Sequence, residues 1–270
     1  MHKVDNDSLI QMEKLKLNHT LGKKLADIMN DQRRKIQTLS DELPRNPDCL
    51  KNETDIVRLA VIVKSLEKTK AYYNYLNISD DIFYDTISDI RIWCENNGNE
   101  GLNNYQWLIN HIKGELFKIG RLQYQLYTCN NDTLDYTCLP FDYGENVIYI
   151  HIPQGEKLVY EDCRHSILMA KEFLKTYFPD FTYRYFFCES WLLFNGNSSF
   201  MRHDSNIVKF SSLFNIVYSD FDDKQAIERI FGKNLKNIDD YPEKTSLQKA
   251  AKKYLQKGNS LGMGIGIIEA

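Results

Sequence analysis

The sequence predicts an α+β protein: a helical N-terminal domain over residues 1–113, then an α/β domain with a mixed central sheet over residues 114–270. Three observations carry this. Apolar residues recur at three- and four-residue steps through the first 112 residues, the spacing of one helical face. Near Gly114 that rhythm gives way to alternation and strand-forming content. Residues 147–194 read as strand, tight loop, helix and strand, the unit in which a crossover of a dozen or more residues joins two parallel strands.

Residues 7–43 are expected to be helical, with Leu9, Met12, Leu15, Leu21, Leu25, Ile28, Met29, Ile36 and Leu39 on one face. His19-Thr20 is a candidate interruption with Thr20 as its N-cap, and Pro44 and Pro47 end the segment. A second helix spans residues 52–76, with a wide apolar stripe through Leu59, Ile62, Val63 and Leu66. Ser79 starts a third, with Asp80 and Asp81 in the turn that the helix dipole favours for acids; Asn96-Asn97-Gly98-Asn99 stops it. A fourth covers residues 102–112. Four helices with short polar connections make a bundle-like module. Residues 116–127 then read as a strand and 134–139 as a short second one. Residues 141–146 form a turn, and 147–152 an apolar strand of the kind buried on both faces. After the central unit come a short helix opened by Ser205-Asn206, a strand at 214–218 and a helix over 222–231 stopped by Gly232. The helix over 246–256 is capped by Thr245, and the final strand is Gly-rich, through Gly262, Gly264 and Gly266.

The 43% hydrophobic and 26% charged residues are those of a globular chain able to bury a full core. A net charge of −3 supplies no basic field to recruit nucleic acid. The polar N-terminus lacks the apolar stretch of a secretory signal, and no run of about 18 apolar residues suggests a membrane span. A cytoplasmic location is therefore expected. The 6 cysteines form no CxxC pair and no zinc-finger spacing with histidine, so free thiols and no metal site are expected.

Several stretches taken together resemble one family: Phe117-Lys118-Ile119-Gly120-Arg121-Leu122-Gln123-Tyr124, His151-Ile152-Pro153, Cys188-Glu189-Ser190-Trp191-Leu192-Leu193, Ser205-Asn206-Ile207 with Phe210, and Thr245-Ser246-Leu247-Gln248. It is the bacterial acyltransferase-domain family, which joins an N-acyltransferase N-terminal domain to a GNAT-like C-terminal domain. The motifs run from about residue 115 to the end of the chain. The resemblance implies transfer of an acyl group from acyl-CoA or acetyl-CoA to the amine of a small-molecule or peptide acceptor. It also implies that the pantetheine arm inserts like an extra strand where two strands part. The pyrophosphate would then sit on the following loop and helix N-terminus, here Ile152, Pro153, Gln154, Gly155 and Lys157. This loop departs from the family's basic, Gly-rich form: it has one glycine and carries Glu156. A second reading follows from that departure, a non-catalytic GNAT-like protein that binds a small ligand or peptide. A third, self-association through the helical module, concerns oligomeric state, on which the sequence carries no signal.

His151 ends the central strand, as general base or substrate contact, or as a histidine that fixes the strand end. Glu189 and Ser190 end the next strand, where open α/β sheets place ligands. Glu189 is a candidate base, set against a structural acceptor; Ser190 is a candidate catalytic hydroxyl, set against a turn cap. Tyr218 is the candidate acid that reprotonates the leaving thiolate. Cys188 reads as a buried thiol and Trp191 as a core anchor. Arg121 and Gln123 face either a groove or solvent. The Gly264-x-Gly266 pattern opens no helix and reads as a strand with close backbone contacts rather than a phosphate loop.

Overall fold

The computed structural model describes residues 6–96, 102, 105–130 and 134–270. It divides into two compact units: one of Met1–Ile119 with Gln123–Gln125 and Ile152–Glu156, the other of Gly120–Leu122, Leu126–His151 and Lys157–Ala270.

In the first unit, residues 7–43 form three helices, not one continuous face: α1 (Asn6–Lys14), α2 (His19–Asp31) and α3 (Arg33–Glu42). The break before α2 follows Lys16, whose φ is +52°. The N-cap is Asn18, whose Oδ1 accepts from Leu21 N at 2.9 Å; Thr20 already lies inside the first turn. Helices α4 (Asp55–Tyr75), α5 (Asp80–Asn96) and α6 (Tyr105–Ile112) follow, so six α-helices replace the expected four among the described residues. Of the stop signal expected at Asn96-Asn97-Gly98-Asn99, Asn96 is the last residue of α5 and the rest lies outside the described residues. Helix α4 is the hub. Leu59, Ala60, Val61, Ile62 and Val63 are all fully buried, because α1, α2, α3, α5 and α6 each pack against it; a helix apolar on all sides is one enclosed on all sides. Strand β1 (Leu116–Ile119) is tied to this unit, Lys118 N donating to Thr86 Oγ1 at 2.8 Å and the Tyr73 hydroxyl to Leu116 O at 3.2 Å.

The sheet contains β1, β2 (Leu122–Thr128), β3 (Asn146–His151), β4 (Tyr185–Ser190), β5 (Asn215–Asp220) and β6 (Met263–Glu269), in the order β1-β2-β3-β4-β6-β5. Strands β3 and β4 are parallel and joined by α7 (Tyr160–Tyr177), as the central unit predicts. Strand β6 runs antiparallel to both β4 and β5, so the sheet is mixed. Residues 116–127 are thus two strands, broken where Gly120 takes φ +64°, a conformation costly for residues with a Cβ. This corner is fixed on α7: Leu122 N donates to Ser166 Oγ at 3.1 Å. Residues 134–139 are not a strand. Asp135 Oδ1 accepts from Thr137 N at 3.0 Å and folds Tyr136–Cys138 into a 3₁₀ turn, a side chain competing with the ladder for the backbone. Helix α8 (Asn206–Ser211) is capped by Ser205, α9 (Lys224–Phe231) ends at left-handed Gly232, and α10 (Ser246–Gln256) opens on a Thr245–Gln248 capping box.

Gln123 is buried rather than facing solvent, at 0% exposure, and neither atom of its side-chain amide has a hydrogen-bond partner. An unpaired buried amide costs free energy that an apolar side chain of similar shape does not. Gln123→Leu is therefore expected to raise stability by about 1 kcal/mol, read as a higher urea midpoint at unchanged slope; a lower midpoint would show that the amide is paired.

Candidate active site

Strand β4 reads Tyr185-Phe186-Phe187-Cys188-Glu189-Ser190, and its alternation assigns the chemistry to faces. Tyr149 of β3 pairs with Phe187 of β4; Phe187 pairs with Ile267 and Glu189 with Ile265 of β6; Tyr218 of β5 pairs with the same Ile265. Tyr149, His151, Phe187, Glu189, Ile265 and Tyr218 therefore share one face. Cys188 and Ser190 occupy the other. The β3–β4 ladder consists of Ile148↔Phe186 and Tyr149↔Phe187, whereas β3 runs on to His151 and β4 to Ser190. His151 and Glu189 lie at these parallel strand ends.

Of the expected residues, His151, Glu189 and Tyr218 are brought to one face, and Ser190 is not. Ser190 is 5% exposed and its Oγ accepts from Leu192 N at 3.2 Å, capping the 3₁₀ turn Trp191–Leu193. Gly264, the β6 partner of Ser190, lies directly under that turn: a Cβ there would collide with the Leu193 carbonyl. The Gly-rich strand is thus a close-packing device, as its pattern suggests. Trp191 packs against the cluster of Ala226, Ile227, Ile230 and Leu255.

The electrostatics single out Glu189. Burial pushes its carboxyl above the usual carboxylate range; the Tyr149 hydroxyl, which hydrogen-bonds it, pulls it back, and the charges of Asp220 and Asp222 add to the rise. Tyr218 is raised by the charge of Asp220, then by burial and by its own hydrogen bond to Asp220, so the phenol keeps its proton at neutral pH. Burial likewise pushes up the Cys188 thiol, which disfavours the nucleophilic thiolate. Sequence reading overlooked Tyr149, Tyr127 and Asp220. The available signal was period-two spacing: Tyr149 lies two residues before His151 on an expected strand.

The loop after β3 holds Ile152 half-buried, Pro153 buried, and Gln154, Gly155, Glu156 and Lys157 exposed. Gly155 takes φ +96°, and Glu156 pairs with Lys118 at 2.6 Å. The N-cap of α7, Val159, makes no side-chain capping bond, and Glu161 and Asp162 stand in the first turn. Open first-turn N–H groups and the single loop lysine fit an anion; the two acids oppose one. Among the described residues no group of three or more His, Cys, Asp or Glu is placed to hold a metal ion, and no helix is long and apolar enough to cross a membrane.

Two family models match the chain: one described as the N-acyltransferase N-terminal domain over residues 1–114, the other as the GNAT-like C-terminal domain over residues 116–268. No curated protein matches the sequence. Solved structures with a similar fold include an acyltransferase in complex with CoA and 10C-teicoplanin, 17% identical, with a TM-score of 0.80 over 100% of this chain and 89% of that one. An acyltransferase in complex with decanoyl-CoA is 18% identical, with a TM-score of 0.79 over 99% and 89%. A mutant acyltransferase in complex with octanoyl-CoA is 17% identical, with a TM-score of 0.79 over the same shares.

Proposed function

The chain belongs to the family that carries the GNAT-like C-terminal domain behind an N-acyltransferase N-terminal domain, and from that premise we propose that it transfers an acyl group from acyl-CoA to an amine acceptor. The observation that carries this reading is the row of Glu189 and Tyr218 on one sheet face, at the end of a parallel strand pair whose ladder stops at Tyr149 and Phe187. Past that last pair, backbone groups of neighbouring strands are the natural partners for the amides of a pantetheine arm. Ile152, Pro153, Gln154, Gly155 and Lys157 lie on the loop that would hold the diphosphate, with Lys157 as its cation. The division into functional parts is proposed at residues 113 and 114.

In this reading Glu189, with its raised carboxyl pKa, takes the proton released as the amine nitrogen bonds to the thioester carbon. As the carbon–sulfur bond breaks, Tyr218 donates its proton to the sulfur, and solvent returns the proton from Glu189 to Tyr218. The products are an amide and a free thiol, and both side chains end as they began. His151 lines the acceptor side of the strand end, and Ser190 holds the turn beyond Glu189. The acyl-CoA and teicoplanin complexes of the similar structures make decanoyl-CoA and teicoplanin the first probes.

Calorimetric titration with acetyl-, octanoyl- and decanoyl-CoA tests the donor site. Saturable binding in the micromolar range is expected. A folded protein that gives no heat at millimolar ligand would overturn the reading. It would favour instead the non-catalytic ligand-binding alternative, to which Glu156, Glu161 and Asp162 beside the loop already point.

A further inference from the structure

Tyr149 has no role in the reaction described above, yet its ring is held by three others on that sheet face. Its ring stacks on the His151 imidazole at 4.1 Å between centroids and 29° between planes. The Phe187 ring meets it edge-on at 4.8 Å, and the Tyr127 ring at 5.6 Å. These three rings come from β3, β4 and β2, so the tyrosine is clamped from its own strand and from two others. A ring clamped in this way has little rotamer freedom, and its hydroxyl hydrogen-bonds the Glu189 carboxylate.

We propose that Tyr149 is a positioning residue for acyl transfer, whose clamped hydroxyl fixes the orientation of the Glu189 carboxylate toward the acceptor amine. This rests on the reading of Glu189 as the base. A carboxylate on a strand end otherwise has several rotamers, and a base must stand within hydrogen-bond reach of the proton it removes. A hydroxyl held in place by three rings fixes the carboxylate that it hydrogen-bonds. The titratable groups around Glu189 are Tyr149 and His151 on β3, Tyr127 on β2, Cys188 on its own strand, Tyr218 and Asp220 on β5 and Asp222 after it; β6 contributes the apolar Ile265. Tyr149 is hydrogen-bonded to it. Both aspartates oppose its ionisation, and the tyrosine hydroxyl is the counterweight.

The test is Tyr149→Phe, which keeps the ring in its clamp and removes only the hydroxyl. Turnover with decanoyl-CoA and an accepted amine is expected to fall about 10-fold in kcat, the loss of a hydrogen bond to a charged group, with KM for decanoyl-CoA unchanged. The acidic limb of the kcat/KM profile is expected to move to higher pH, because the hydroxyl holds the carboxyl pKa down. In a protein carrying 3-fluorotyrosine at position 149, the more acidic phenol donates more strongly and the limb moves to lower pH. A merely structural tyrosine moves neither limb. A second readout needs no turnover: the Glu189 carboxyl, followed by ¹³C NMR as the resonance lost in Glu189→Gln, titrates at higher pH in Tyr149→Phe. An unmoved carboxyl titration overturns the positioning role, even if Glu189→Gln is inactive. If Glu189→Gln retains full activity, it is the assignment of the base that fails. Should Tyr149→Phe not fold, the fluorotyrosine protein decides alone, and an unmoved limb there counts against the proposal.

Discussion

Glu189→Gln is expected to lower kcat/KM for acyl transfer by about 10²- to 10³-fold, without loss of folding stability or of acyl-CoA binding. The amide matches the carboxylate in shape and still accepts from the Tyr149 hydroxyl, but it takes up no proton. Burial and the charges of Asp220 and Asp222 raise the carboxyl pKa of Glu189, and a base is most effective when its pKa approaches the working pH. Release of free thiol from decanoyl-CoA in the presence of an accepted amine measures the effect. Wild-type turnover in Glu189→Gln would move the base elsewhere, and His151→Ala would then be the next variant to assay. The wild-type profile should lose activity on the acidic side, at a pH above that of an ordinary glutamate, as Glu189 takes on its proton.

Asp89→Ala is expected to destabilise the helical unit by about 3 kcal/mol. Asp89 of α5 is 3% exposed and its Oδ2 accepts from two indoles, Trp93 Nε1 at 3.2 Å and Trp107 Nε1 at 2.9 Å. His111 Nε2 of α6 stands 3.3 Å from the same oxygen. The fully buried His111 is thus a third polar group converging on this oxygen. The alanine leaves two buried indole donors and an imidazole facing a void. Burial pushes the Asp89 carboxyl up, but His111, Trp107 and Trp93 together outweigh it and hold the pKa below the ordinary aspartate value. A depressed carboxyl pKa contributes stability that is present above the unfolded value, about 3.9, and is lost as pH falls through the folded one. The gap between wild type and Asp89→Ala should therefore be full at pH 6 and shrink below about pH 4. Urea unfolding followed by fluorescence reads it, because two of the 3 tryptophans sit in this cluster. A pH-independent gap would mean that the carboxylate charge contributes nothing there.

Much of the architecture was legible in the chain because it rests on local chemistry. The switch from helical spacing to alternation near Gly114 is a matter of side-chain period. The capping box at Thr245 and the stop at Gly232 need only their own turns, and the strand–loop–helix–strand unit announces a parallel pair through the length of its crossover. Where the reading failed, a local competitor had been misjudged. Asn18 outcompeted Thr20 because it stands two residues earlier, at the position whose side chain reaches the free N–H of Leu21, Gly120 split an expected strand, and Asp135 drew the next segment into a turn.

His151 and Glu189 are candidates because strand ends are where sheets of this kind bind ligands, and Tyr218 because a thiolate needs an acid. Their common face, the exclusion of Ser190 from it and the presence of Tyr149 beneath His151 depend on register across β3, β4, β6 and β5. Register couples residues from 149 to 267, and no local pattern encodes it. The same holds for the burial of Gln123 and for Asp89 meeting Trp107 and His111 across two helices. The sequence by itself determined the fold class, the parallel central unit and its capped helices, and the family. The tertiary structure alone decided which polar groups share a desolvated neighbourhood, because desolvation and charge are properties of everything packed around a group rather than of its neighbours in the chain.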